Sequence, residues 1–217
     1  MMSILAGLKW SIGVLSIICI GMLCIGTVSG VMISSPDVVK PGDEVSVFVG
    51  NLENNVPVSV LVVGDIKTDA GSFFSYGIHD LKLNGLKLNS PILNIYLQGL
   101  LYPSKVNVTL IQKNGDIYIA LPPKAVKQDG TCEVTNLQRP TLDDNDISLT
   151  INGTAAKTQV PVTVELTGTS GSATSFAECN FNIRGFSNGV FDVITKVNNV
   201  DVERKQFTVQ DQLIAIK

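Results

Sequence analysis

Histidine, tryptophan and charge are all scarce in this chain. Among its 217 residues there is one histidine, His79, and one tryptophan, Trp10. A single histidine excludes a histidine-rich metal site. It leaves a hydroxyl- or thiol-based nucleophilic relay with only one base to draw on. The four cysteines include no Cys-x-x-Cys pair, so thioredoxin-like and zinc-ribbon motifs are absent. Charged side chains make up 16% of the chain, with 16 basic against 19 acidic residues and no basic stripe, so a nucleic-acid partner has no electrostatic footprint. No glycine loop for phosphate is present. Asp65, Asp80 and Asp116 are scattered, and nothing in their spacing pairs them as glycosidase carboxylates. Aromatics are few: Tyr76, Tyr96, Tyr102 and Tyr118 are the only tyrosines, which gives a sugar-stacking platform few candidates. No enzyme is expected, and no organic cofactor.

What the chain does have begins at its start. From Trp10 to Pro36 there is no charged side chain, and Ser11 to Val28 is almost continuously apolar. A run of about 18 residues lies between a signal-peptide core and a comfortable membrane span. Lys9 holds the start inside, so the remainder is sent across the membrane. Val28-Ser29-Gly30 offers small residues for cleavage after Gly30. The same segment also reads as an uncleaved anchor spanning residues 10–30, and both readings stand. Gly26 and Gly30 form a GxxxG, which a signal-peptide tail explains equally well. Cys19 and Cys24 lack the small preceding residue or the leucine at −3 of a lipoprotein signal, and read as apolar residues of a hydrophobic helix. Beyond residue 30 the chain keeps all 19 acidic residues and all but one of the basic ones, a net charge of about −4. The expected address is extracellular or cell-surface.

The exported part reads as β throughout. Apolar residues alternate with polar ones at Val45/Val47/Val49, Leu93/Ile95/Leu97 and Ile147/Leu149/Ile151. They do so again at Val160/Val162/Val164/Leu166 and Ala177/Cys179/Phe181/Ile183. Period two over many short runs predicts half-buried antiparallel strands, and no later stretch sustains a helical period. Asn-Gly occurs four times, and both residues tolerate the positive φ of tight hairpins. A two-residue loop at Asn114-Gly115 sets Leu110 opposite Ile119 and Val108 opposite Leu121 on one face. At Asn84-Gly85 it pairs Leu83 with Leu86, but also Lys82 with Lys87. At Asn188-Gly189 a three-residue loop pairs Ile183 with Val193 and Arg184 with Asp192, and Asn152-Gly153 is read as a fourth turn.

These features predict an all-β, antiparallel immunoglobulin-like β-sandwich preceded by an N-terminal hydrophobic helix. Pro122-Pro123 is the natural internal boundary. It gives a leader over 1–30 and sandwich parts over 31–122 and 123–217, or one continuous domain over 31–217. In an oxidising compartment Cys132 and Cys179 are expected to form a disulfide. It would close a loop of about 48 residues and restrict the unfolded chain by about 4 kcal/mol.

Candidate sites beyond these are modest. Asp143-Asp144-Asn145-Asp146 reads as a solvated turn, with calcium at Asp143, Asp144 and Asp146 as the alternative. The sequons Asn107-Val108-Thr109 and Asn152-Gly153-Thr154 place glycosylation candidates Asn107 and Asn152 on an outward strand face and at a turn. His79 is expected to be an exposed side chain beside a hairpin. Asn54-Asn55 and the stretch from Gly168 to Ser175 read as polar loops.

The run from Val38 to Val47, with Pro41-Gly42-Asp43 before the first valine-alternating strand, resembles the opening of immunoglobulin-like modules in microbial cell-surface proteins. Gly189 to Val193 and Gln206 to Val209 are similar to their closing strands. The resemblance covers the two ends only. It implies a sandwich used for structure, spacing or adhesion, and it transfers no active-site residue. The antibody-type core tryptophan has no counterpart. The expected function is an exported, non-enzymatic surface or secreted protein with a structural or adhesive role. Its partners would be the cell envelope or other surface proteins. A carbohydrate- or protein-binding module, including one for polysaccharide, is the alternative. A pilus-like filament subunit with its helix retained is a third, although Lys9-Trp10 departs from the processing pattern of archaeal-type filaments.

Overall fold

The alternating valines, leucines and isoleucines all turn inward. Val45, Val47, Val49, Ile95, Ile151, Val164 and Phe181 are each almost wholly buried, while their neighbours in sequence reach the surface. The computed structural model describes residues 30–112, 117–136, 147–171, 175–184 and 189–210. In them there are strands and turns and no helix. The strands are β1 Val31–Ser34, β2 Val38–Val39, β3 Glu44–Gly50, β4 Pro57–Lys67 and β5 Phe73–Asn84. They continue with β6 Leu86–Leu97, β7 Lys105–Gln112, β8 Ile117–Ala120, β9 Lys124–Ala125 and β10 Cys132–Asn136. The last are β11 Ile147–Thr154, β12 Gln159–Ser170, β13 Phe176–Arg184, β14 Val190–Val197 and β15 Val200–Val209.

Two sheets result. One runs β1-β3-β13-β5-β11-β7-β8, with β9 also on β7, and the other runs β10-β6-β12-β4-β14-β15-β2. All pairings are antiparallel except that of β15 with β2. The inward faces of both sheets contribute to a single cluster of buried residues, so the architecture is sandwich-like. Both sheets draw strands from each side of Pro122-Pro123: β13 lies between β3 and β5, and β12 lies between β6 and β4. Parts 31–122 and 123–217 therefore interleave in the described residues, and each completes the other's sheets.

The turns separate into two kinds. The pairing of Leu110 with Ile119 is present, and Leu121 N–H donates to the Val108 carbonyl at 2.9 Å, as the sequence predicts. Asn114-Gly115 itself lies outside the described residues. The other three Asn-Gly expectations are corrected. Asn84-Gly85 joins β5 to β6 across the two sheets, so Leu83 and Leu86 are not ladder partners. Gly85, at φ 72°, lets the chain change layer. β13 and β14 likewise belong to different sheets, so Arg184 faces Gly77 and Asp192 faces Val63 and Gln206. Asn152-Gly153 lies inside the central strand β11. There the glycine is needed for space, since a Cβ would come within 2.8 Å of Phe74 Cζ. Gly168 to Ser170, expected as loop, finish β12, and Ser170 is fully buried. Its hydroxyl donates to the Glu53 carbonyl and accepts the Val56 N–H at 2.9 Å, which ties the turn at Asn55 to the sheet.

One core position goes against the pattern. Thr195 on β14 is completely buried, and its Oγ1 has no hydrogen-bond partner among the described residues. A buried hydroxyl without a partner carries a desolvation penalty of about 1–3 kcal/mol. Thr195→Val keeps the β-branched shape and removes that penalty. It is expected to stabilise the protein by about 1 kcal/mol, read as a higher urea midpoint at unchanged slope.

Candidate functional site

The two ends of the sandwich differ. At one end lie the loops 68–72, 98–104, 126–131 and 155–158. These segments bond to each other through their backbones. Gly71 N–H donates to the Ala155 carbonyl at 2.8 Å, Ala155 N–H to Ser72 at 3.0 Å and Leu100 N–H to Gly130 at 3.0 Å. Ala156 N–H donates to Gly99 at 2.8 Å. Gly99 and Gly130 have φ of 71° and 77°, and a Cβ at Gly99 would approach the Gln159 carbonyl to 3.0 Å, so the close approach of these loops depends on glycine. Backbone groups satisfied in this way fix the loops in position.

These loops present apolar side chains to solvent. Leu100 is buried and bridges to Ala155, so the next two residues turn outward: Leu101 is 40% and Tyr102 51% exposed. Leu101 N–H donates to the Thr154 carbonyl at 2.9 Å. On the other side of Thr154 stands its ladder partner Phe73, 66% exposed while Phe74 points into the core. Phe73 and Leu101 thus flank the end of β11, with Tyr102 next along the chain. Tyr96, on the outer face of the second sheet near this end, is also exposed, and its hydroxyl accepts from Gln98 Nε2 at 2.9 Å. A shallow cleft of about 550 Å³ at the same end is lined by Lys67, Thr68, Asp69, Thr158 and Gln159. The sequence signal for this surface was the unalternated run Leu100-Leu101-Tyr102 between a glycine and a proline, where a connecting loop is ordinarily polar.

The outer face of the first sheet carries a polar ladder centred on a bulge. Its register with β13 shifts between Asn180 and Asn182, and with β11 between Ile147 and Leu149. Asp80 adopts φ 52° there. Asn182 Nδ2 donates to Asp80 Oδ2 at 3.1 Å, and Asp80 N–H reaches Ser148 Oγ at 3.4 Å. The Ser46 hydroxyl donates to Asn180 Oδ1, and Asn180 Nδ2 donates to Glu178 Oε1 at 3.0 Å. His79 is half-buried, not exposed as the sequence predicts. Its ring lies over Gly77, where a Cβ would meet Nε2 at 2.3 Å. Burial, reinforced by the Arg184 charge and opposed by Asp80, holds the imidazole below its usual range, so it is neutral at pH 7. The hydroxyl at the bulge, Ser148, accepts a hydrogen bond from the Asp80 backbone N–H. The ladder pairs polar groups along the sheet surface, leaves Asn182 Oδ1 buried without a partner among the described residues, and assembles no nucleophile–base pair from these residues.

The remaining sequence expectations fall as follows. Cys132 and Cys179 are buried free thiols, not a disulfide. Cys132 is on the edge strand β10, which packs against β9 and so lies on the β7 side of the sandwich. Cys179 is on β13, three strands away from β7. Three strand spacings are about 14 Å, twice the reach of a disulfide. Burial pushes both thiols up, that of Cys179 to about 12. Reductant is therefore expected to leave the melting temperature unchanged. Alkylation followed by peptide mapping should label Cys132 and Cys179 only after unfolding. A melting temperature that drops with reductant would contradict this arrangement.

Asn107 on β7 is exposed, as expected for a sequon on an outward face. Asn152 is half-buried within β11, directly opposite Asn107. Their Cα atoms are about 5 Å apart, so a glycan on one would cover the other. Gly30 is ordered at φ 123°, and its carbonyl accepts the Gly50 N–H at 2.9 Å. Asp143, Asp144 and Asp146, the calcium candidates, lie outside the described residues, as do Cys19, Cys24 and the rest of the segment expected to form a hydrophobic helix. Among the described residues no group of three or more His, Cys, Asp or Glu side chains is placed to hold a metal, and no helix is long and apolar enough to cross a membrane.

No protein family matches the chain, and no curated protein does. Solved structures match it only weakly. The structure of infectious bursal disease virus Gx strain matches with a TM-score of 0.29 and 13% identity over 77% of this chain and 42% of that one. A carbohydrate-binding module from the β-sandwich superfamily matches with a TM-score of 0.19 and 14% identity over 62% of this chain and 50% of that one. The structure of Broad Bean Stain Virus gives 0.22 and 12% over 66% and 94%. The chain spans less than half the length of the first of these. Scores this low carry no functional argument.

Proposed function

We propose that this protein is a non-enzymatic surface module. In this reading an immunoglobulin-like sandwich is exported behind a hydrophobic helix, tethered by residues 10–30, and binds another macromolecule of the cell envelope through its ordered loop end. The observation that carries it is the set Phe73, at the start of β5, and Leu101 and Tyr102, on the neighbouring loop, all exposed on backbone that is already fixed. Apolar and aromatic anchors on a rigid frame lose little conformational entropy on binding, which is what distinguishes an interaction surface from a solvated loop.

The position of this surface supports a tethered role. β5 runs from Phe73 at the loop end to Asn84, which faces Glu178 near the corner where Gly30 enters the fold. Twelve residues of strand hold the two ends about 35–40 Å apart. A partner could engage the loop end without approaching the tether. Retention of the helix is favoured over cleavage after Gly30 because the Gly30 carbonyl already belongs to the folded edge, through its bond to Gly50.

The test uses the full chain in proteoliposomes. They are presented to surfaces coated with envelope polysaccharide, with envelope proteins, or with the same protein. The expected result is saturable adhesion in one arm that is lost when Phe73, Leu101 and Tyr102 are replaced together. Adhesion unaffected by the replacement, or none in any arm, overturns the reading. N-terminal sequencing of the exported protein checks the tether: an intact Met1 supports it, and a start at Val31 refutes it.

A further inference from the structure

We infer that the opposite end of the sandwich rests on the bilayer, with Met32, Phe48 and Phe176 seated among the lipid headgroups. This inference depends on the tether proposed above.

The patch is contiguous. Met32 and Phe48 are ladder partners on the outer face of the first sheet, 58% and 36% exposed. The Phe48 ring stacks with that of Phe176 at a centroid distance of 5.8 Å and an interplanar angle of 20°. Phe176 faces Gly50, and a Cβ there would press on Phe48 Cε1 at 3.1 Å. The glycine leaves room for both rings to lie along the surface. Val200, 63% exposed, follows the Asn198-Asn199 turn at the same end of the second sheet.

What selects a membrane as the occupant is the chain itself. The apolar run ends at Val28, and only Ser29 and Gly30 separate it from β1, whose second residue is Met32. Two extended residues reach about 7 Å. With residues 11–28 in the bilayer, the corner at Gly30 cannot stand farther from it than that. Interfacial side chains bury about 5–10 Å into the headgroup and acyl boundary. The short tether and the apolar patch therefore meet at the same depth. Glu53, Glu178 and Asp201 lie towards this end together with Lys82 and Lys196, and Lys196 pairs with Asp201 at 3.9 Å, so no net positive charge is there to draw anionic lipid. The contact is apolar insertion into a zwitterionic surface, insensitive to salt.

Tryptophan fluorescence tests the contact in the full chain, with Trp10→Phe removing the native signal. Phe48→Trp, or Phe176→Trp if the first variant folds poorly, reports on the patch, and Phe73→Trp reports on the far end. In phosphatidylcholine vesicles with brominated acyl chains, the patch tryptophan is expected to be quenched about two-fold and protected from acrylamide, at low and high salt alike. Phe73→Trp should show neither effect. An unquenched, acrylamide-accessible patch on a chain that stays with the vesicles overturns the inference and leaves the tether intact. Protection from acrylamide without bromine quenching also overturns it, because a second copy or another protein then covers the patch. Recovery of a chain starting at Val31 in the supernatant refutes the tether and this inference together.

Discussion

Serine at Phe73, Leu101 and Tyr102 together is expected to weaken adhesion by at least about 100-fold, since truncating one anchor central to an interface costs about 1–2 kcal/mol and three are removed. Stability should barely change. All three side chains are at least 40% exposed, and the loops below them are held by backbone bonds that the substitutions leave in place. The two readouts separate the binding role from a structural one. Leu100→Ala serves as the contrasting variant. It removes a side chain buried to 2% under the same loop, and should lower stability together with adhesion. Equal adhesion by wild type and the triple serine variant would place the binding surface elsewhere.

Phe207→Ala should produce the largest loss of stability, about 3–5 kcal/mol. Phe207 is fully buried and faces its ladder partner Phe191, with ring centroids 5.0 Å apart and planes within 18°. The rest of β15 offers little to replace it. From Val200 to Gln206 its side chains are exposed or half-buried, with Val202 packed only at the edge of the core, and Phe207 and Val209 are its fully buried members. Arg204 and Asp192 pair across the same ladder, but at an exposed position where such pairs contribute little. In a domain of this size the loss corresponds to about 10 °C in melting temperature, measurable by thermal unfolding. Arg204→Ala should shift it by less than about 2 °C.

Much of this was legible in the sequence. Each alternating run named from the sequence became a strand whose apolar members are buried, from Val45 through Ile183. The Leu110–Ile119 pairing was legible because a short hairpin closes on its own neighbours. The Pro41-Gly42-Asp43 turn was legible for the same reason. It closes locally, with Asp43 N–H donating to the Lys40 carbonyl at 3.0 Å and Lys40 N–H to the Asp43 carboxylate at 2.8 Å.

The errors have a common origin. Asn-Gly reports that a backbone can take positive φ, and that permission serves a hairpin and a crossing between layers equally. Gly85 is used for the crossing, and Gly153 is used for something else again, the space under Phe74. Two cysteines in a chain whose sequence reads as exported invite a bridge, but β10 and β13 are set apart by strand order, which their own residues do not encode. The candidate site was missed because exposed Phe73, Leu101 and Tyr102 come from separate segments. Only the backbone bonds of Thr154, Ala155 and Gly99 bring those segments to one end.

By itself the sequence determined which side chains face inward, because a strand's period of two is a local property of L-residues in extended chain. The tertiary structure decided which sheet each strand joins, how far Cys132 lies from Cys179, and which loops share an end. Those choices are made by contacts between residues distant in sequence, such as Val164 with both Ile95 and Val62, and no local pattern carries them.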